Sequence, residues 1–127
     1  VLNGHGGNVA PCTSTWNQFV RDFQINLQFM SYWDVLDADD ASLLASGQRL
    51  PEDLPGHAQE FETAIALAFF AENVRHDAMA QQSDQTPTCA TAAKGELFME
   101  RIVERVSGHL QRMIQGDSKI DIPPFHP

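Results

Sequence analysis

Residues 1–8 read Val1-Leu2-Asn3-Gly4-His5-Gly6-Gly7-Asn8. Two apolar residues run into a turn built from three glycines and two asparagines, with one histidine in its middle. The stretch reads as the last two residues of a strand followed by a loop. A helix is expected next, from about Pro11 to Phe23. Thr13 or Ser14 is placed to cap it, and Trp16, Phe19, Val20 and Phe23 share one face. Strand, loop and helix in this order open a layered α/β unit.

Working outward, Ile25, Leu27 and Phe29 alternate with polar residues, which predicts a strand ending at Ser31-Tyr32-Trp33-Asp34. Residues 37–56 are punctuated by Asp37, Asp39, Asp40, Gly47, Pro51, Pro55 and Gly56, and read as loop with a helical turn or two around Ala41 to Ala45. His57 to Ala71 reads as a helix with Phe61, Ile65, Ala68 and Phe69 on one side. Residues 81–91 are polar and turn-rich. A last helix spans residues 92–114, where Phe98, Ile102, Val106, Leu110 and Met113 recur at helical spacing. Residues 117–127 form an irregular tail, because three prolines block a helix past Ile122. One strand and one stub undersupply a sheet that long helices would cover, so the chain is expected to be part of a domain.

The 127 residues are one domain's worth of chain, with 43% apolar residues. Seventeen acidic against eight basic residues give a net charge of −9. Such a surface repels nucleic-acid phosphates and anionic membranes, which argues against both as partners. No apolar run approaches the ~20 residues that span a bilayer. Cys12 and Cys89 lie far apart in no metal-binding spacing, as expected of a chain kept in a reducing cytoplasm without disulfides.

Three segments carry side chains suited to chemistry. In NGHGGN, a histidine at the carboxyl end of a strand, opening onto a helix, occupies the place where open α/β sheets bind ligands. Gly6 and Gly7 leave the imidazole faces clear and let a substrate or ion approach the backbone. The alternative is a glycine-rich turn with an incidental solvent-facing His5. In GHAQEFETA, residues 56–64, His57 lies near Glu60 and Glu62, as in a metal site or an acid/base pair. Glu60 equally suits a helix amino terminus, where a carboxylate meets the macrodipole. In SYWD, residues 31–34, the aromatic pair and acid either line a pocket or belong to the core. His76, His109 and His126 carry no functional reading, and His109 is expected at the surface.

VLNGHGGN, SYWD, GHAQEFET and ATAAKGELFMERIVERV, in this order from Val1 to about Met113, resemble the creatininase family of creatinine amidohydrolases. The resemblance covers the carboxyl-terminal half of a typical member and implies that residues 1–127 are a partial domain whose amino-terminal half is absent. It implies the corresponding part of a three-layer α/β/α sandwich with a mostly parallel sheet, often assembled as a homo-hexamer. The implied activity is hydrolysis of non-peptide C–N bonds in small cyclic amides or formamides. Two divalent ions (zinc, manganese or iron) would polarise the carbonyl and lower the pKa of a bound water to ~7.

Residue by residue, the resemblance makes His5 a metal ligand. The family's creatininase-like branch has a carboxylate two residues after this histidine, where Gly7 stands here, and Glu62 is the candidate replacement. His57 corresponds to a histidine at the scissile bond, a proton donor or orienting group. Trp33 and Asp34 correspond to a segment that closes over the substrate, with Gly6 and Gly7 beside it. Gln59 and Ala64 stand where similar members have Gly and Ser. Asp53-Leu54-Pro55 stands where a substrate-covering tryptophan is found in creatininases proper, which argues against creatinine itself. The family's remaining ligands come from the amino-terminal half, so the partner is either that half or further copies of this chain. The opposing expectation is a non-catalytic piece that associates through the sheet edge at Val1-Leu2.

Overall fold

A computed structural model describes residues 1–23, 25–49 and 52–119. The architecture is mostly helical around a small parallel sheet. Strand β1 (Leu2–Asn3) pairs with β2 (Met30–Ser31), Leu2 opposite Met30 and Asn3 opposite Ser31. The α/β class therefore holds in a minimal form, with two strands among the described residues. The strand expected from Ile25 to Asp34 shrinks to two residues, because β1 offers no longer ladder. Beyond Ser31 the chain tightens into a 3-10 turn, Tyr32–Val35, closed by a capping box in which Asp34 accepts the Ser31 N–H at 2.7 Å.

Helix α1 (Val9–Phe23) begins earlier than its sequence pattern predicts, since the 3-10 turn Gly6–Asn8 leads straight into it. Ser14 is not its cap; its hydroxyl donates to the Pro11 carbonyl inside the helix, 2.9 Å away. Trp16 ties α1 to the β2 approach by donating Nε1–H to the Leu27 carbonyl at 3.1 Å. Helix α2 (Ala38–Ala41) starts where Asp37 accepts the Asp39 and Asp40 N–H groups. Helix α3 (Glu60–Phe69) starts three residues later than expected, because Gly56 and Ala58 both have positive φ and no helix passes through them. The short α4 (His76–Gln81) falls where the pattern gave no helix. Helix α5 (Ala92–Gln115) matches its prediction, from a Thr91 cap to the left-handed Gly116. Residues 120–127 of the expected tail, His126 among them, lie outside the described residues.

The core is Trp33, Leu44, Leu54, Phe61, Phe98 and Ile102, with the Phe61 and Phe98 rings edge to face at 5.1 Å. Only the first half of the α5 stripe is used: Leu110 and Ile114 are 52% and 86% exposed. His109 is half-buried, within hydrogen-bond distance of Gln28 Oε1 at 2.9 Å. Cys12 and Cys89 are free, and no helix among the described residues is long and apolar enough to cross a membrane.

Two buried carboxylates join α5 to the segments that precede it. Asp40 pairs with Arg101 and, at 2.7 Å, with Arg105. Glu60 pairs with Lys94 and accepts the Ala45 and Ser46 N–H groups at 3.1 and 2.7 Å. Burial alone would raise both carboxyls. For Asp40 it is outweighed by the Asp37 N–H and the two guanidinium groups, and for Glu60 by Lys94 and the Ser46 and Ala45 donors, so both lie below their ordinary values. A lowered carboxyl stabilises the fold above its unfolded pKa of about 4 and loses that contribution as pH falls through the folded value. The urea unfolding midpoint is therefore expected to hold from neutral pH to about pH 5 and to drop below about pH 4. Asp40→Asn should flatten the drop, and a wild-type midpoint unchanged down to about pH 2 would show that neither carboxyl is perturbed.

Candidate functional site

The two strands run parallel, so their carboxyl ends open on the same edge, and the loops leaving that edge carry His5 and Tyr32. Asn3 organises this edge. It is 5% exposed; its Nδ2 donates to the His5 carbonyl and to Ser31 Oγ, both at 3.0 Å. Its Oδ1 accepts the His5 N–H at 3.1 Å and Asn8 Nδ2 at 3.2 Å. Every hydrogen-bonding atom of a buried amide is thus engaged, which fixes the loop to the sheet. Sequence reasoning passed over Asn3, although an Asn entering a glycine turn is a known signal for side-chain-to-backbone closure.

His5 itself is exposed, and its imidazole folds back over Gly7: a Cβ there would lie 2.8 Å from His5 Nε2. Gly6 faces another segment, since a Cβ on it would meet the Pro55 ring at 3.7 Å. Pro55 is buried and follows a cis Leu54–Pro55 bond. The His5 loop is therefore seated against the segment that delivers His57 two residues later. Pro55 supplies that seat, while Leu54 before it belongs to the core.

His57 is exposed and sits between two residues in the left-handed region, Gly56 at φ 69° and Ala58 at φ 51°. Gly56 adopts this freely; for Ala58 it costs about 1–3 kcal/mol unless its surroundings enforce it. They do: the Ala58 N–H donates to Glu62 Oε2 at 2.8 Å, and its carbonyl accepts Thr63 Oγ1 at 3.1 Å. Gln48 braces the same turn, donating to Gln59 Oε1 at 3.1 Å and accepting the Phe61 N–H at 3.2 Å. Gln59, one of the departures from similar members, is part of this brace. Ala64, the other, is fully buried where α3 meets α5, so that departure concerns packing.

Glu60 is turned away from His57 into its pair with Lys94. Glu62 stays on the His57 side and lines a cavity of about 380 Å³ with Ala58, Thr63, Arg75 and Met79. Tyr32 belongs to this neighbourhood as well: burial, then the Glu62 charge, pushes its hydroxyl up to about 12, so it stays protonated at neutral pH. Trp33, by contrast, is 6% exposed within the core, and the Asp34 carboxylate closes its capping box and lines a different groove with Arg105 and His109. The structure thus gathers Gly6, His57 and Glu62 around Pro55 to Ala58, and sets Trp33 and Asp34 elsewhere.

The His5 loop leaves the carboxyl edge of the parallel sheet, where open α/β sheets bind their ligands, and the segment before His57 packs against it through Pro55. Residues 1–88 match the creatininase family, described as creatinine amidohydrolase, and the chain belongs to that family. No curated protein and no solved structure matches it significantly. Family members are generally metal-dependent. The donors present here do not fit an ion by themselves: among the described residues no three His, Cys, Asp or Glu side chains form a group able to hold one.

Proposed function

We propose that the chain is a creatininase-family amidohydrolase, or the carboxyl-terminal part of one, acting on non-peptide C–N bonds of small cyclic amides or formamides. The observation that carries this reading is the seating of Gly6 on Pro55, which puts the His5 and His57 loops on one edge. In the reaction, water adds its hydroxyl to the amide carbon, the C–N bond breaks, and the nitrogen leaves with a proton. His57 is the donor of that proton, an effect of typically 10²–10⁴-fold.

In the metal-dependent form of this reading, His5 and Glu62 are the chain's share of a donor set. A divalent ion takes about four to six donors, so the others would come from a complementary segment or from another copy of the chain in a homo-oligomer. Completion of the sheet at β1 into a three-layer sandwich, and residence in the cytoplasm, belong to the same proposal. Association is favoured independently by apolar side chains left open on α1, Phe19 and Phe23, which are 44% and 59% exposed.

The test is to incubate the purified protein with zinc, manganese or ferrous ions and a panel of small lactams, cyclic ureides and formamides. Amine or carboxylate release is followed by chromatography. Release that depends on His57 is expected; absence of release with every ion and substrate, by a protein shown to bind the ion, would overturn the reading.

A further inference from the structure

Among the described residues, no hydrogen bond holds the His57 imidazole. The backbone on either side sets where its Cβ points, and both flanking residues have positive φ. Gly56 needs no help to stay there. Ala58 does, because an L side chain rarely adopts this conformation. Two side chains from the first turn of α3 grip the Ala58 peptide groups: Glu62 Oε2 accepts its N–H at 2.8 Å, and Thr63 Oγ1 donates to its carbonyl at 3.1 Å. The Thr63 bond is partly buried, which shields it from water, while the Glu62 bond lies at the surface.

We propose that Glu62 and Thr63 are positioning residues for His57, acting by clamping Ala58 in the left-handed conformation from both of its peptide groups. The clamp explains why α3 begins only at Glu60. It also gives Glu62 a role that needs an acceptor oxygen but no negative charge, and that occupies only one of its two oxygens. Its link to turnover rests on the reading of His57 as the proton donor; the clamp itself does not.

Three variants separate these statements: Glu62→Gln, Glu62→Leu, and Glu62→Leu combined with Ala58→Gly. The first readout is NMR of the whole protein, using the residue-58 Cα and Cβ shifts, which report the sign of φ, and the His57 ring resonances. Glu62→Gln keeps an oxygen for the Ala58 N–H and is expected to leave both sets of signals in place. Glu62→Leu is expected to move both, and Ala58→Gly, which needs no clamp, should return the His57 signals towards wild type. The second readout is turnover of an amide substrate. Glu62→Leu should lower kcat by up to about 10²-fold, and because it also removes a carboxylate offered to a metal ion, only the part of the loss restored in the double variant is assigned to the aim of His57.

Unmoved residue-58 and His57 signals in Glu62→Leu would overturn the clamp, as would Glu62→Gln signals shifted as far as those of Glu62→Leu. The NMR pattern as expected, in a protein that hydrolyses no amide, would uphold the clamp and reject the amidohydrolase reading instead.

Discussion

His57→Ala is expected to lower amide hydrolysis by about 10²–10⁴-fold while leaving the fold intact, the range for loss of one positioned proton donor. The two halves of that expectation have separate origins. His57 is exposed and makes no hydrogen bond among the described residues, so its removal should shift stability by no more than about 0.5 kcal/mol. Its place is nevertheless specified more tightly than that of an ordinary surface histidine. The preceding Pro55 is packed under Gly6, and the following Ala58 is gripped by Glu62 and Thr63. Steady-state kinetics beside a thermal melt decides the point. An unchanged kcat with an unchanged melt removes His57 from the chemistry.

Gly95→Ala is expected to give the largest loss of stability. A Cβ on Gly95 would lie 2.0 Å from the Ala64 carbonyl oxygen, 2.5 Å from its carbon and 2.9 Å from Ala68 Cβ. The first two are main-chain atoms of α3, so no rotamer change relieves the clash and the helices must part. Alanine gains about 1 kcal/mol over glycine as a helix former. Against this stands overpacking of about 1–3 kcal/mol or more in a closed core. Separation of α3 from α5 would also disturb the Phe61–Phe98 contact and stretch Glu60–Lys94, one residue before the clash. The steric effect should therefore win, with a net loss of about 2 kcal/mol or more in urea unfolding. A midpoint at or above wild type would mean that the two helices do not approach this closely. Because Glu60 also holds Ala45 and Ser46, the variant should loosen the loop leading towards His57 as well.

Elements with a strong local signal were legible from the residues alone. The α5 helix was, because its apolar residues recur at helical spacing from Phe98 to Met113. The break between α1 and the region of β2 was legible too, whereas the helical turn expected around Ala41 to Ala45 lies earlier, at Ala38–Ala41. The expected strand from Ile25 was not, since alternation needs a ladder partner, and β1 supplies two residues. The late start of α3 was hidden for a similar reason: nothing local in His57-Ala58-Gln59 announces a left-handed alanine, which exists only because Glu62 and Thr63 enforce it.

By itself, the sequence determined the α/β class in its coarse form, the family and the long last helix. These follow from residue type and short-range spacing, which act within a few residues of chain. Tertiary structure alone decided that Glu60 faces Lys94 while Glu62 faces Ala58, that Trp33 is core, and that Gly6 rests on Pro55. Those outcomes depend on which main-chain donors and which apolar surfaces meet across 34 to 65 residues of chain, as between Glu60 and Lys94, Trp33 and Phe98, or Asp40 and Arg105. Carboxylates go to the donors that would otherwise be buried unpaired, and no periodicity in the sequence records where those donors will lie.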